Sequence, residues 1–185
     1  MRPSRYQIIA LLQENVANEH LRRHMFATEA IMRALAEHWA EDADAWGLAG
    51  LAHDLDAEET QDDFSMHGKT AAALLAGLAA PPDVVRAVTA HNPATGVSPE
   101  TRLEIALAAA DQLTGLITAA SLVRPDRQIA NVAVKSIRKR FREGAFARGV
   151  DRAAIERCEE LGLPLEEFMS IGLAAMQGIA ADLGL

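Results

Sequence analysis

The segment 104–120, EIALAAADQLTGLITAA, is a long run of Ala, Leu and Ile into which a single carboxylate, Asp111, intrudes. Ala and Leu are strong helix formers, so the run is expected to be a helix, and Asp111 falls on its inner face. A charge in that position is costly unless it is paired or bound to a cation. The rest of the chain leans the same way. Hydrophobic residues make up 50% and aromatics only 4%, which favours helices packed through small side chains over a β-sandwich. No segment alternates convincingly as a strand, and no internal repeat or low-complexity tract appears. The expected fold is all-α.

Local signals divide the chain into helices. Ser4 with Gln7 three residues on is a capping box that opens a helix running to about Val16. A second is expected from about Glu19 to Trp39, with Ala27, Ile31, Ala34 and Leu35 at helical spacing. DADAWGLAGLAHDL is a third, with Trp46, Ala49 and His53 on one stripe. MHGKTAAALLAGLAA is a fourth, ended by Pro81 and Pro82, and DVVRAVTAH a short fifth, broken by NPATG. Ser98 followed by Pro99 predicts the start of the long helix, which continues to about Val123. RQIANVAVKSIRKRFREG, DRAAIERCEEL (capped by Asp151) and PLEEFMSIGLAAMQGIAADLG complete the helical pattern. A boundary near Arg124-Pro125 would separate a core, residues 1–124, from a C-terminal helical extension, residues 125–185, packed on the same domain.

A chain of 185 residues can bury a substantial core. Its net charge of −8 argues against broad binding to nucleic acid polymers or acidic membranes. The lone cysteine, Cys158, excludes an internal disulfide and reads as a packed helix residue. The first residues lack a secretory pattern, and no run of about 18 apolar residues predicts a membrane span. A cytoplasmic protein is the expectation. The apolar helix FMSIGLAAMQGIAADLGL can seal the core or a homodimer.

The histidines supply the chemistry. His24 lies early in the second helix, His53-Asp54 at the end of the third, His67 at the start of the fourth and His91 at the end of the fifth. With Asp111 they form a set of imidazoles and carboxylates suited to one or two divalent ions: Fe, Mn, Zn, Ni, Co or Mg. Neighbours on a helix are about 100° apart. His53 and Asp54 therefore share a site only where the helix end relaxes or two ions lie side by side. His20 is a possible substitute for His24, and His38 is too far along the helix to join.

The series His24, His53-Asp54, Asp111 resembles the HD-domain superfamily of metal-dependent phosphohydrolases. The further histidines in MHGKTAAALL and AVTAHNPATG resemble its two-metal branch, which includes bacterial hydrolases that split diadenosine tetraphosphate symmetrically. The C-terminal half is similar to a group of small bacterial HD-domain proteins of unassigned substrate. The chain departs from the diadenosine-tetraphosphate branch after the dipeptide, where it has LDAEE and not a basic residue shortly downstream. It also lacks the GYP signature of cyclic-dinucleotide phosphodiesterases.

The resemblance implies a helical bundle of HD-domain type and hydrolysis of a phosphate ester or anhydride by metal-activated water. The substrate would be a small phosphorylated molecule, such as a nucleotide or related metabolite. Asp54 and Asp111 are then expected to hold the ions and orient the water. Asp56 is either an orienting group or outer general base, or a solvated loop acid. Lys69, at a helix start where backbone N–H groups also face outward, is the first candidate for a substrate phosphate. Arg138 is the second, from the stripe Lys135, Arg138, Lys139 and Arg142, whose alternative is a solvated face pairing with acids. Two rival readings are a one-metal nucleotidase using His24, His53, Asp54 and Asp111, and a non-catalytic helical binding module.

Overall fold

Ser4 opens the first helix by the reciprocal bonds its spacing predicts. In the computed structural model, which describes residues 2–185, Ser4 Oγ accepts from Gln7 N–H and the Gln7 side chain accepts from Ser4 N–H. Helix α1 spans Arg5–Asn15. Asn18 caps α2, Glu19–His38, and Asp42 caps α3, Ala43–Ala52. Helices α4, Lys69–Gly77, and α5, Pro82–Ala90, follow, with Pro82 beginning α5 at a position where a missing N–H is harmless. Then come α6, Arg102–Leu122, α7, Val134–Arg142, and α8, Arg152–Glu156, capped by Asp151. The series ends with α9, Leu165–Gly178, and α10, Ala180–Leu183. Short 3-10 turns cover Pro93–Thr95, Ile129–Asn131 and Arg157–Leu161. Among the described residues there is no strand, and the all-α expectation holds.

Two expected boundaries differ. Helix α6 starts after Thr101, not at Ser98-Pro99, because Thr101 and Glu104 form a complete capping box. The Glu104 carboxylate accepts from the N–H groups of Glu100 and Thr101 and pairs with Arg86 of α5, a partner that Ser98 lacks. The segment 127–144 is not one helix either. It turns at Ile129–Asn131, where Gln177 of α9 donates to the Ile129 carbonyl, and becomes α-helical only from Val134.

Helix α6 is the centre of the bundle and packs against α2, α3, α5, α7, α8 and α9. It has the length and apolarity of a membrane span, but 67% of its most apolar window is buried in the protein's own core. Around it the apolar residues form one continuous cluster that includes Ile137, Phe168, Met169, Leu173 and Met176 from beyond residue 124. Helix α9 lies on both α2 and α6, so its apolar face is covered within the chain.

The tightest approach is between α2 and α3. A Cβ at Gly50 would stand 2.8 Å from Thr28 O and 2.9 Å from Glu29 N, so the two backbones touch where any other side chain would part them. A second clamp holds α1. Arg5 makes a two-pronged pair with the buried Glu29, at 2.7 and 2.9 Å, and Arg33 reaches the same carboxylate from one turn along α2. Burial would make a lone Glu29 costly, and the two guanidiniums offset it.

Gly50→Ala is therefore expected to destabilise the protein by about 1–3 kcal/mol through overpacking. Thermal unfolding checks this, since each kcal/mol shifts Tm by roughly 2–4 °C at this chain length. Ala40 closes α2 with φ +55 and Glu41 N–H bonded to Ala36 O. Left-handed backbone there penalises Ala by about 1–2 kcal/mol, against about 0.4–1 for the greater freedom of unfolded Gly. Ala40→Gly is accordingly expected to raise stability by up to about 1 kcal/mol in a denaturant titration.

Candidate metal centre

Five segments converge. His24 comes from the second turn of α2, His53 and Asp54 from the end of α3, His67 from the turn before α4, His91 from the end of α5 and Asp111 from the middle of α6. Helix α3 stops at Ala52, and His53 is its C-cap. The relaxed end lets His53 and Asp54 face one centre, as their adjacency requires.

Backbone and carboxylate acceptors decide which nitrogen of each ring carries its proton. His53 Nδ1 lies 2.8 Å from Gly50 O, and His91 Nδ1 lies 2.6 Å from Val88 O. His67 Nδ1 lies 2.8 Å from Asp56 Oδ1. Each partner can only accept, so each Nδ1 donates and Nε2 is the nitrogen turned inward, where a cation can replace its proton. These three nitrogens surround Asp54 Oδ1 at 3.4 Å from His53, 3.3 Å from His67 and 3.5 Å from His91. Asp54 Oδ2 lies 3.6 Å from His24 Nε2, which is also 2.9 Å from Asp111 Oδ1 and 3.2 Å from His53 Nε2. His67 and His91 present their Nε2 atoms 3.2 Å apart.

These spacings have a direct reading. Ligands about 2.1 Å from one ion and at right angles to each other are about 3.0 Å apart, and wider angles give somewhat more. With a cation in place of the protons these nitrogens would otherwise hold, the spacings fit ligands gathered about one ion. Two ligand groups result: His24, His53 and Asp111, and His53, Asp54 and His91. His53 belongs to both, Asp54 turns its other oxygen, Oδ2, toward His24 of the first, and the donor set fits divalent transition ions.

The electrostatics agree. Burial resists charge on His53, but Asp54 and Asp111 outweigh it and push the imidazole up to about 9. His67 is likewise pushed up to about 9 against burial, by Asp54 and Asp56. Burial alone would raise Asp54 and Asp111, yet the surrounding histidines hold both well below the usual carboxylate range. The two acids therefore concentrate a demand for positive charge at the point where the nitrogens meet.

The structure changes the reading of Asp56. It is fully buried and not a solvated loop acid, and none of its oxygens is free for general base catalysis. Oδ1 accepts from His67, and Oδ2 accepts from Gly68 N–H and Ala71 N–H, both at 2.8 Å. Asp56 thus orients His67 and caps α4 from a distance. The expectation of outward-facing N–H groups beside Lys69 is overturned by the same bonds. Gly68 and Ala71 donate to Asp56, while Lys69 and Thr70 donate to Met66 O. The half-buried Lys69 keeps its place two residues after His67.

Arg138 is not brought to the cluster. Helix α7 turns Ile137 and Phe141 into the core, and Arg138 pairs with Glu166 of α9. The cleft it lines with Lys135, Lys139, Arg142 and Glu143 contains none of the six clustered residues. His20 is exposed and belongs to neither ligand group, and His38 packs edge-on against Trp39 at the far end of α2. Cys158 is buried, and burial pushes its thiol up to about 12, which suits a packing role.

Four supporting residues escaped the sequence reading. Asn92 Nδ2 donates to Phe64 O and His67 O, tying the 57–68 loop to the end of α5. Gln112 donates to Asp111 Oδ2 and accepts from Asp151 N–H, which joins the cluster to the start of α8. Gly68, at φ +88, sits where a Cβ would stand 2.8 Å from Val88 O and 3.2 Å from the His91 ring. Arg152 donates to the carbonyls of Phe141, Glu143, Phe146, Ala147 and Val150 and so organises the loop that reaches Gln112. Only Gly68, next to a histidine, carried a local signal.

Asp56→Asn is expected to weaken divalent-ion binding by about 10–100-fold while the helical circular dichroism is retained. Titration calorimetry with Mn²⁺ measures it. In the unsubstituted protein, Mn²⁺ at 100 times its Kd should add about 2.7 kcal/mol of stability, and a chelator should remove that gain.

No curated protein and no solved structure matches the chain. The sequence model of the HD domain matches residues 21–116, a little over half the chain. That stretch spans every clustered residue, from His24 to Asp111. By this match, and by an all-α bundle that gathers the histidines and aspartates into a site fit for a metal, the chain belongs to the HD-domain superfamily, whose members are generally metal-dependent hydrolases.

Proposed function

We propose that the protein is a metal-dependent phosphohydrolase acting on a small phosphorylated substrate, a nucleotide or a related metabolite, at a centre of two divalent ions. The observation that carries this reading is the placement of Asp54, whose two oxygens face separate ligand groups, with His24 on one side and His67 and His91 on the other. When bound, divalent ions bring the pKa of coordinated water toward neutrality and draw negative charge from the phosphoryl oxygens.

The chain's own residues hold and orient. His24, His53 and Asp111 would hold one ion and His67 and His91 the other, with Asp54 within reach of both. Asp54 and Asp111 orient the attacking water. Asp56 acts through His67 and does not touch the reacting atoms. Lys69 remains the candidate cation for a phosphate oxygen, now through its side chain alone. Arg138 takes no part in this reading.

A one-metal nucleotidase is the second reading. His24, His53 and Asp111 lie 2.9 to 3.6 Å from one another, and Asp54 comes within 3.4 and 3.6 Å of the two imidazoles, an arrangement that would hold one ion without help from His67 and His91. Metal analysis separates the two. About two equivalents, falling to one in the His67→Ala, His91→Ala variant, supports the two-ion reading. One equivalent, unchanged in that variant, supports the other.

Asp54→Ala is expected to lose both metal and hydrolysis and to remain helical, as measured on a panel of phosphorylated metabolites with Mn²⁺, Fe²⁺, Co²⁺ and Mg²⁺. Full activity in that variant overturns the enzyme assignment. Lys69→Ala is expected to raise KM with kcat little changed, and an unchanged KM removes Lys69 from the site.

A further inference from the structure

The six clustered side chains are not equally covered. His53, His67 and His91 are 0%, 9% and 3% exposed and Asp54 12%, whereas His24 is 22% and Asp111 17%. The cluster therefore opens past His24 and Asp111, between α2 and α6. A groove of about 300 Å³ begins there, lined by His24 and Ala27 from α2 and by Gly115, Thr118, Ala119 and Leu122 from α6. Leu183 to Leu185 close its far side, and His20 and Arg23 stand at its rim. Asp111, Gly115, Thr118 and Leu122 recur at helical spacing, so the groove follows one face of α6 away from the cluster. Gly115, one turn beyond Asp111, contributes backbone to the inner end, and a Cβ there would stand 3.4 Å from Val150 Cγ2, outside the groove. The walls are mostly apolar, and Leu122 and the neighbouring Val123 are 49% and 55% exposed.

We propose that this groove is the subsite for the substituent on the phosphoryl group held at the cluster, and that it takes an apolar alkyl or aryl group, which narrows the substrate to a small phosphorylated metabolite without a nucleotide's ribose beside the phosphate. The proposal rests on the phosphate-binding reading of the cluster. At the small end of the range for small-molecule sites, about 300–1,000 Å³, the groove holds one ring or a short chain. A phosphate placed against His24 and Asp111 has its substituent directed along α6, because the other sides are closed by buried histidines. Its depth, not a polar contact, then sets the preference among phosphorylated substrates, with Ala119 and Leu122 as the residues that determine it.

The test is calorimetric binding of n-alkylphosphonates, methyl to hexyl, to the Mn²⁺-loaded protein. Phosphonates are not hydrolysed, so this readout is independent of turnover. Kd is expected to fall by about two- to fourfold per methylene, as apolar burial of a methylene predicts. Ala119→Phe, which fills the groove, should flatten that dependence and leave methylphosphonate binding unchanged. Leu122→Asp, on the exposed rim and safe for folding, should weaken hexylphosphonate at least tenfold with methylphosphonate unaffected. Equal affinity along the series, or a slope that survives both substitutions, overturns the subsite. Failure to bind even methylphosphonate overturns the phosphate-binding reading on which the subsite rests. Binding with the expected slope but no hydrolysis of the matching alkyl phosphates upholds the subsite and overturns only the hydrolase reading.

Discussion

Asp54 lies in the interior with four imidazole nitrogens within 3.6 Å, and the rest of the structure is arranged to keep it there. Three of those rings have their protons committed to Gly50 O, Val88 O and Asp56. Their inward nitrogens face the carboxylates of Asp54 and Asp111, and burying these groups together is tolerable only around positive charge, either protons on the rings or a bound cation. That requirement links the stability of the bundle to the chemistry of its centre.

The scaffold meets it by close approach and by capping. At Gly50 the backbones of α2 and α3 touch, which brings His24 beside the end of α3 and leaves the Gly50 carbonyl free to accept from His53. Gly68 does the same for His67 and His91. Asp56 joins two tasks, since the carboxylate that orients His67 also accepts from Gly68 N–H, just before α4, and from Ala71 N–H in its first turn. Helix α9 presses on both α2 and α6, and Asp151 at the start of α8 reaches Asp111 through Gln112. The C-terminal helices thus support the cluster without supplying a ligand to it.

Much of this was legible in advance because its causes are local. Capping by Ser4, Asp151 and Gln7 depends on residues three apart, and helical periodicity depends on the neighbouring turns. His53 next to Asp54 at a helix end, and Asp111 alone in a run of Ala and Leu, announce themselves because charged and polar groups in apolar surroundings require a partner. The start of α6 was misplaced for the opposite reason. Ser98-Pro99 is a sound local signal, but Thr101 wins because its partner Glu104 is held by Arg86 from another helix.

The all-α class, most of the helices and the set of imidazoles and acids that resembles an HD-domain site can be read from residue order alone. Packing is what fixes the roles of Asp56, Asn92 and Gln112, pairs Arg138 with α9 and not with the cluster, and places the groove along α6 beside the centre. The division follows the range of the interactions. Helix formation and capping act over a few residues, whereas the bonds from Asp56 to Ala71, from Asn92 to Phe64 and from Gln112 to Asp151 span 15, 28 and 39 positions and exist only once the helices have packed.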